Sequence, residues 1–543
     1  MAGPRLGRES PWQRRGRAAL LSAGILLAGG VGEAAEKVAV VSLGVNISSL
    51  NPLTLSSRIS HAMFDGLTNV DDESNEPKPG LAESWTLSAD QREYVFKLRR
   101  GVVFHDGSPF TAADVRFSLE VICHKDNVRS ADRYVRSHSK IRGCPEYHEG
   151  QIDRVEGIEV LDSHTLRVRL TEPSAPFLVL AAATAVLPRA LYGNIPVKAL
   201  AQHPLSRAPI GTGPFSFVEW REGDRLVLKA NPRYFLGRPR LDGFIFRVIQ
   251  DPATRFLELK SGGLHFGLSG SVTAHDFVAA SGDPRLTPKV YRGAWHRAFA
   301  MDLTNPLFSD VRVRQALSHA FDRERILRDV WDGRGQIFNG PLNPGALEFN
   351  PRIPVPEYDP ARATRLLSEA GWHPGPDGIL QRDGRRFEFS LLSHPGASRS
   401  MAIVYQDYLK RIGLDARIET VDFPRFFGVR LRPGQFQAAS VEMVAGHDLD
   451  PLFQLGRFQC GTSFVGYCNG EVDSLVARAM STLDRGDRTR VFWRIQEIFG
   501  RDLPVIWVVN PHDLQLASAK LVLPDHPTET LLMMNLRHWD LRE

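Results

Sequence analysis

The stretch Phe104–Leu119, FHDGSPFTAADVRFSL, decides how the rest of the chain is read. Asp106-Gly107 is a turn dipeptide. It closes the strand expected over Tyr94–Leu98 and its extension through Val102 and Phe104. Thr111 then reads as a helix N-cap, with Asp114 three residues on in the acidic position of a capping box. Losing such a cap costs about 1 kcal/mol. Val115, Leu119 and Ile122 are spaced for one helical face. The local reading is strand, turn and capped helix.

Working outward, residues 80–103 read GLAESWTLSADQREYVFKLRRGVV. With them in front, the stretch resembles the signature of extracytoplasmic solute-binding proteins of peptide- and nickel-type ABC importers, the bacterial family 5 to which dipeptide- and oligopeptide-binding proteins belong. SLNPLTLSSRISHAMFDGLTNV at 49–70 is similar to that family's opening strand, loop and helix. IGTGPF at 210–215, NPLFSDVRVRQALSHAFDRERIL at 305–327 and YDPARATRLLSEAGW at 358–372 follow in the family's order. The resemblance spans 37–543. It implies an α/β, two-lobed periplasmic binding protein (Venus-flytrap) fold of class II, cluster C type, with an extra domain. The boundaries expected are lobe I at 35–56, 209–290 and 506–543, the extra domain at 57–208, and lobe III at 291–505. In such proteins the ligand lies between lobes and is enclosed by hinge closure.

Composition agrees with an exported globular protein. At 543 residues the chain exceeds one core, so two or three domains are expected. Hydrophobic content of 43% and charged content of 24% are ordinary. Arg5, Arg8, Arg14, Arg15 and Arg17 precede an apolar run from Ala18 to Val31, with Gly32 and Ala34 placed for cleavage. Residues 1–34 therefore read as a secretory signal peptide, by the general route or, through Arg14-Arg15, the twin-arginine route. No cysteine follows that run, so a free periplasmic protein is expected rather than a lipoprotein. The formal charge is +5; removing five Arg and two Glu with the leader leaves about +2, which gives nucleic-acid binding no support.

Thr165–Leu170 alternates as a strand after a turn at Asp162-Ser163, and Phe215–Trp220 opens a hairpin. The bare Gly-x-Gly at 211–213 precedes a strand and not a helix, so it is no phosphate cradle. One strand is expected over Tyr291–Asp302, and a buried strand over Pro504–Val509. Helices are expected after Asp310, after Asp359-Pro360, and over Met401–Ile412, Glu471–Leu483 and Arg488–Phe499. His265 stands where the family usually carries an acid, which is expected to alter the local hydrogen bonding.

Four cysteines allow three pairings. The local one, Cys123–Cys144 and Cys460–Cys468, is favoured because each pair brackets a polar, turn-rich loop. Chain entropy gives about 3 and about 2.5 kcal/mol for closing these loops. A metal site is the rival, although neither spacing is CxxC.

The resemblance also directs attention to binding residues. Peptide-binding relatives hold the α-ammonium with an Asp four residues before a Pro. In MVAGHDLDP, 443–451, His447 takes that place, flanked by Val444, Ala445, Gly446, Asp448 and Asp450. Asp450-Pro451 has a structural reading too, as the cap of the next helix. Dipeptide binders carry an Arg for the carboxylate just after the strand that here ends at Leu392; this chain has His394, with Arg399 the nearest guanidinium. A charge-assisted bond of that kind is worth about 1.5–3 kcal/mol. Displacing both clamps argues against simple dipeptide specificity. Ser57 and Arg58 lie in a loop that lines the cleft in relatives, and Trp295 is either core or a stacking surface.

The expected function is capture of peptides or peptide-like solutes and delivery to an inner-membrane ABC permease, by a monomer without cofactor. A non-peptide solute (nickel chelate, heme, opine or oligosaccharide) is the alternative. His296, His394 and His447 lack short metal-ligand spacing. A secreted hydrolase is the competing class, but GxSxG, HExxH and P-loop motifs do not occur.

Overall fold

The structure is a computed structural model describing residues 36–47, 49–53, 59–70, 76–127, 138–182, 184–268, 272–344, 346–444, 450–526, 532–533 and 535–542. The expected leader lies outside the described residues, as do Ser57, Arg58, Ala445, Gly446, His447 and Asp448.

Among the described residues a first, seven-stranded sheet runs Leu286–Tyr291, Asp513–Ser518, Phe266–Gly267, Val38–Leu43, Gly243–Val248, Arg225–Ala230, Phe215–Arg221. Val38–Leu43 is parallel to both its neighbours. Phe215, Phe244, Phe266 and Trp539 pack on one face, and Leu259, Phe277 and Leu516 on the other. His265 is tied to the strand Val38–Leu43 at Val40. The imidazole Nδ1 of His265 accepts the Val40 N–H at 2.9 Å, and the His265 backbone N–H donates to the Val40 carbonyl at 2.7 Å.

The second sheet is ordered Gly335–Gln336, Val505–Pro511, Trp295–Met301, Ala438–Val444, Glu388–Ser393, Asp415–Thr420. Alternate residues of Trp295–Met301 enter different cores: Phe299 and Met301 on one face, Ala298 and Ala300 on the other. Both faces are buried over Ala298–Met301 and over Val505–Val509, which is why these stretches read as continuous apolar runs. Helices Val311–Ala320, Pro360–Glu369 and Ala397–Arg411 carry residues of the first of these cores. Helices Gly470–Ser481 and Arg485–Asp502 carry residues of the other.

A third, antiparallel sheet joins Ala82–Leu87, Glu93–Leu98, Thr165–Arg169 and Ile158–Asp162. Helix Ala112–Cys123 shares its core with Tyr94, Phe96, Phe104 and Phe110. At the start of that helix, Asp114 accepts the Thr111 N–H at 2.8 Å and its hydroxyl at 2.9 Å, while its other oxygen takes the Arg189 N–H at 2.8 Å. Its partner in the opening stretch, His105, is a clamp. Nδ1 accepts from Gly211 N at 3.2 Å and Nε2 meets the Gly213 carbonyl at 3.0 Å. The turn and the GTGPF motif are thus tied together, and burial holds the imidazole pKa down. Both disulfides are local, Cys123–Cys144 and Cys460–Cys468.

The chain passes between the first two sheets twice. The expected strand Tyr291–Asp302 is broken at Arg292–Ala294, its ends belonging to different sheets. The return lies between Pro511 and Asp513, later than the expected division at 505/506. Val505–Pro511 is buried throughout and pairs with Trp295–Met301, so it belongs to the second sheet.

Candidate functional site

Strand directions locate the site before any side chain is considered. Glu388–Ser393 is parallel to Asp415–Thr420 and to Ala438–Val444, so Ser393, Thr420 and Val444 end at one edge. Trp295 pairs with Val444 and starts its strand at that edge; Pro511 ends there too. In the first sheet Leu43, Val248 and Gly267 share an edge, reached also by Tyr291 and Asp513, which pair with each other. Both crossings therefore join a carboxyl edge to a carboxyl edge. In open α/β sheets ligands bind outside the carboxyl ends of the strands. Here two such edges meet the same pair of crossings.

The crossings are packed on each other. The Gly293 carbonyl accepts Asn510 Nδ2 at 3.1 Å and Asn343 Nδ2 at 3.2 Å, both from buried asparagines. Ala294 N–H donates to Asp513 Oδ2 at 3.1 Å. Farther out, the third-sheet region touches the helices of the second sheet. Ala175 N–H donates to the Met480 carbonyl at 2.7 Å, and Arg485 pairs with Glu76 at 2.7 Å.

Of the residues expected at the site, Trp295 is 41% exposed at the start of its strand, and is no core residue. His394 is buried just past Ser393. Its ring stands edge-on to Phe423 at 5.2 Å and Phe426 at 4.9 Å. Its Nδ1 meets the Pro395 carbonyl at 2.8 Å, and Nε2 lies 3.9 Å from Glu442 Oε2. Glu442 is held in turn by Arg297 at 2.5 Å. Arg399 donates its backbone N–H to the His394 carbonyl at 3.0 Å and its guanidinium to Thr420 Oγ1 at 2.8 Å. That places an exposed cation between the ends of two strands. The backbone of Val444 faces Trp295 across the sheet.

Asp450 is engaged elsewhere. It is buried, accepts the Leu452 N–H at 2.8 Å and pairs with Arg488 at 2.8 Å. His296 is buried against Phe338, and burial pushes its pKa down to about 3, the Pro341 carbonyl opposing; the ring is neutral. Among the described residues no group of three His, Cys, Asp or Glu side chains could hold a metal.

Sequence reasoning missed Gly293, Asn343 and Asn510, and the aromatic pair Phe423 and Phe427. The pair had a signal: Phe423 and Phe427 are four apart, one helical turn, after the strand ending at Thr420. Nothing in the spacing of Asn343 and Asn510 announces that both reach one carbonyl.

The family model for bacterial extracellular solute-binding proteins, family 5, matches residues 76–464. The chain is 31% identical over 472 residues to the oligopeptide-binding protein AppA of Bacillus subtilis, covering 84% of this chain and 82% of that protein. The solved structure of that protein in complex with a nonapeptide superposes with a TM-score of 0.76 at 28% identity, over 94% of this chain and all of the other. NikZ from Campylobacter jejuni, in complex with Ni(L-His), gives 0.78 at 25% identity over 93% and 99%. Two carboxyl edges about a double crossing, the ordered motifs and these likenesses lead to one assignment: the chain belongs to family 5 of the bacterial extracellular solute-binding proteins, with their two-lobed fold.

Proposed function

We propose that this protein is the periplasmic substrate-binding component of an ABC importer, capturing peptides or peptide-like solutes between its two lobes and handing them unaltered to an inner-membrane permease. The observation that carries the reading is the double crossing that sets one carboxyl edge against another. Binding energy is then spent on closing the lobes over the solute. Trp295, His394 and Arg399 are the residues we assign to solute contact on the second lobe, with Asp450 kept as scaffold by Arg488. Ser57, Arg58 and the loop through His447 and Asp448 complete the assignment. The peptide reading is supported by the extent of the match to an oligopeptide-binding protein, which covers most of both chains. The leader read at 1–34 supports export, and among the described residues no helix is long and apolar enough to cross a membrane.

The test is thermal unfolding of the mature protein against a panel of di- to nonapeptides, with nickel plus L-histidine as a separate arm, followed by mass spectrometry of the recovered solutes. A peptide that raises the Tm and is recovered intact is the expected result; binding at 100 times Kd stabilises by about 2.7 kcal/mol. Stabilisation by the nickel chelate alone, or recovery of cleaved peptides, would overturn the proposal.

A further inference from the structure

Two large rings stand in water beside the site just described. Phe423 is 58% and Phe427 43% exposed. Their planes lie 9° apart with centroids at 6.1 Å. They are not loose. The helical segment Arg425–Leu431 is anchored from beneath by the buried Phe426 and Leu431. Its entry is tied by Asp422, whose carboxylate accepts the Arg425 N–H at 2.9 Å and whose carbonyl accepts the Phe426 N–H at 2.8 Å. A fixed, exposed apolar face of this kind marks a place of contact.

Its position says what it contacts. Phe423 follows Thr420, the last residue of a strand at the carboxyl edge, by three positions, and leans on His394. Thr420 Oγ1 is also where the Arg399 guanidinium rests, and no carboxylate pairs with Arg399 among the described residues. A flat aromatic face and an available cation are thus fastened to the same strand end. Together they match a solute that carries an apolar group close to a carboxylate. An ion pair with a carboxylate is among the stronger hydrogen bonds, and ring stacking adds to the apolar burial.

We propose that Phe423 and Phe427 form a seat for a bulky apolar or aromatic side chain of the captured solute, whose neighbouring carboxylate is directed to Arg399; for a peptide this is a large apolar C-terminal residue. The proposal rests on the peptide-binding reading above. It explains how this chain selects a ligand although the expected Arg position is occupied by His394.

Calorimetry with the mature chain and three probes tests it: Ala-Ala-Phe, Ala-Ala-Gly and the C-terminal amide of Ala-Ala-Phe. Burial of a phenyl ring corresponds to roughly tenfold or more in affinity, so Ala-Ala-Phe is expected to exceed Ala-Ala-Gly by that factor. Phe423→Ala and Phe427→Ala should each erase most of the ratio, while Phe423→Leu keeps part of it. Amidation should weaken Ala-Ala-Phe about tenfold in the native chain and have no further effect in Arg399→Ala. An unchanged ratio in both alanine variants overturns the seat. So does native binding with no preference, or native ratios in the variants accompanied by lost import into proteoliposomes, which would assign the face to the permease. Failure of all three probes to bind a chain that other peptides of the panel above stabilise would overturn the seat alone, while failure of that whole panel would remove the peptide reading itself, and the seat with it.

Discussion

A side-chain carbon on Gly293 would stand 1.8 Å from the carbonyl oxygen of Pro511. The two residues belong to the two crossings, and the obstruction is backbone, so no rotamer change relieves it. Gly293→Ala is therefore expected to push the crossings apart. Overpacking typically costs about 1–3 kcal/mol. Urea denaturation should show that loss, and small-angle scattering a larger radius of gyration with solute present. Native stability in the variant would mean that the crossings are not in contact.

Asp450 and Arg488 separate scaffold from ligand contact. Asp450 is buried and meets the partly buried Arg488 at 2.8 Å, so Asp450→Asn leaves that guanidinium without its counter-charge. Losing one partner of a fully buried pair costs about 3–5 kcal/mol, and the partial exposure of Arg488 brings the expected loss down to about 1–3 kcal/mol. The double variant Asp450→Leu, Arg488→Met should recover most of it. If instead Asp450→Asn keeps its denaturation midpoint but loses peptide affinity, Asp450 is a ligand contact after all.

Asp65 gives the protein a signature in pH. The carboxyl is buried, and that burial raises its pKa to about 6. Hydrogen bonds from Tyr234 at 2.8 Å and Thr212 at 3.0 Å, with Arg537 nearby, oppose the rise. Folding therefore takes up a proton, and the contribution of this group is complete below pH ~4. It is lost as pH rises through about 6, by about 3 kcal/mol in all. Midpoints measured from pH 4 to 7 should show a downward component in the native chain that is absent in Asp65→Asn. Equal slopes would refute it.

The disulfides should carry unequal shares of stability. Cys123–Cys144 closes a separation of 21 residues and Cys460–Cys468 one of 8. Loop closure gives about 3 and about 2.5 kcal/mol. Thiol titration of the unreduced, denatured protein should find no free thiols, and Cys123→Ser with Cys144→Ser should lower the urea midpoint by slightly more than the other pair of substitutions. Four titratable thiols would contradict the bonds.

What could be read ahead of the structure follows from how local each determinant is. The turn at Asp106-Gly107, the cap at Thr111 and the helix stops are decided by neighbouring residues, and they form where expected. Both disulfides were legible for the same reason. The crossing at Arg292–Ala294 was not. Leu286–Tyr291 and Trp295–Met301 are both extended, and only their partners, Asp513–Ser518 and Ala438–Val444, assign them to different sheets. Likewise Val505–Pro511 reads as a buried strand, but its sequence does not say beside which sheet it is buried. Motif position is what directs attention to Arg399 and His394 as proposed solute contacts. The neighbourhood of His394 with Phe423 depends on the parallel pairing of Glu388–Ser393 with Asp415–Thr420, a contact between segments far apart in sequence.

The Ala175 to Met480 bond has a consequence for cargo. A main-chain hydrogen bond tolerates only a few tenths of an ångström of stretch. In the binding mode proposed above, the solute lies between the crossings and this bond, so the bond sets an upper length on what can be enclosed. A solute exceeding it has to leave the fastening undone. Amide exchange at Ala175 would then act as a ruler: slow with short peptides, fast with those that overfill the chamber, and indifferent to length only if the rim never fastens.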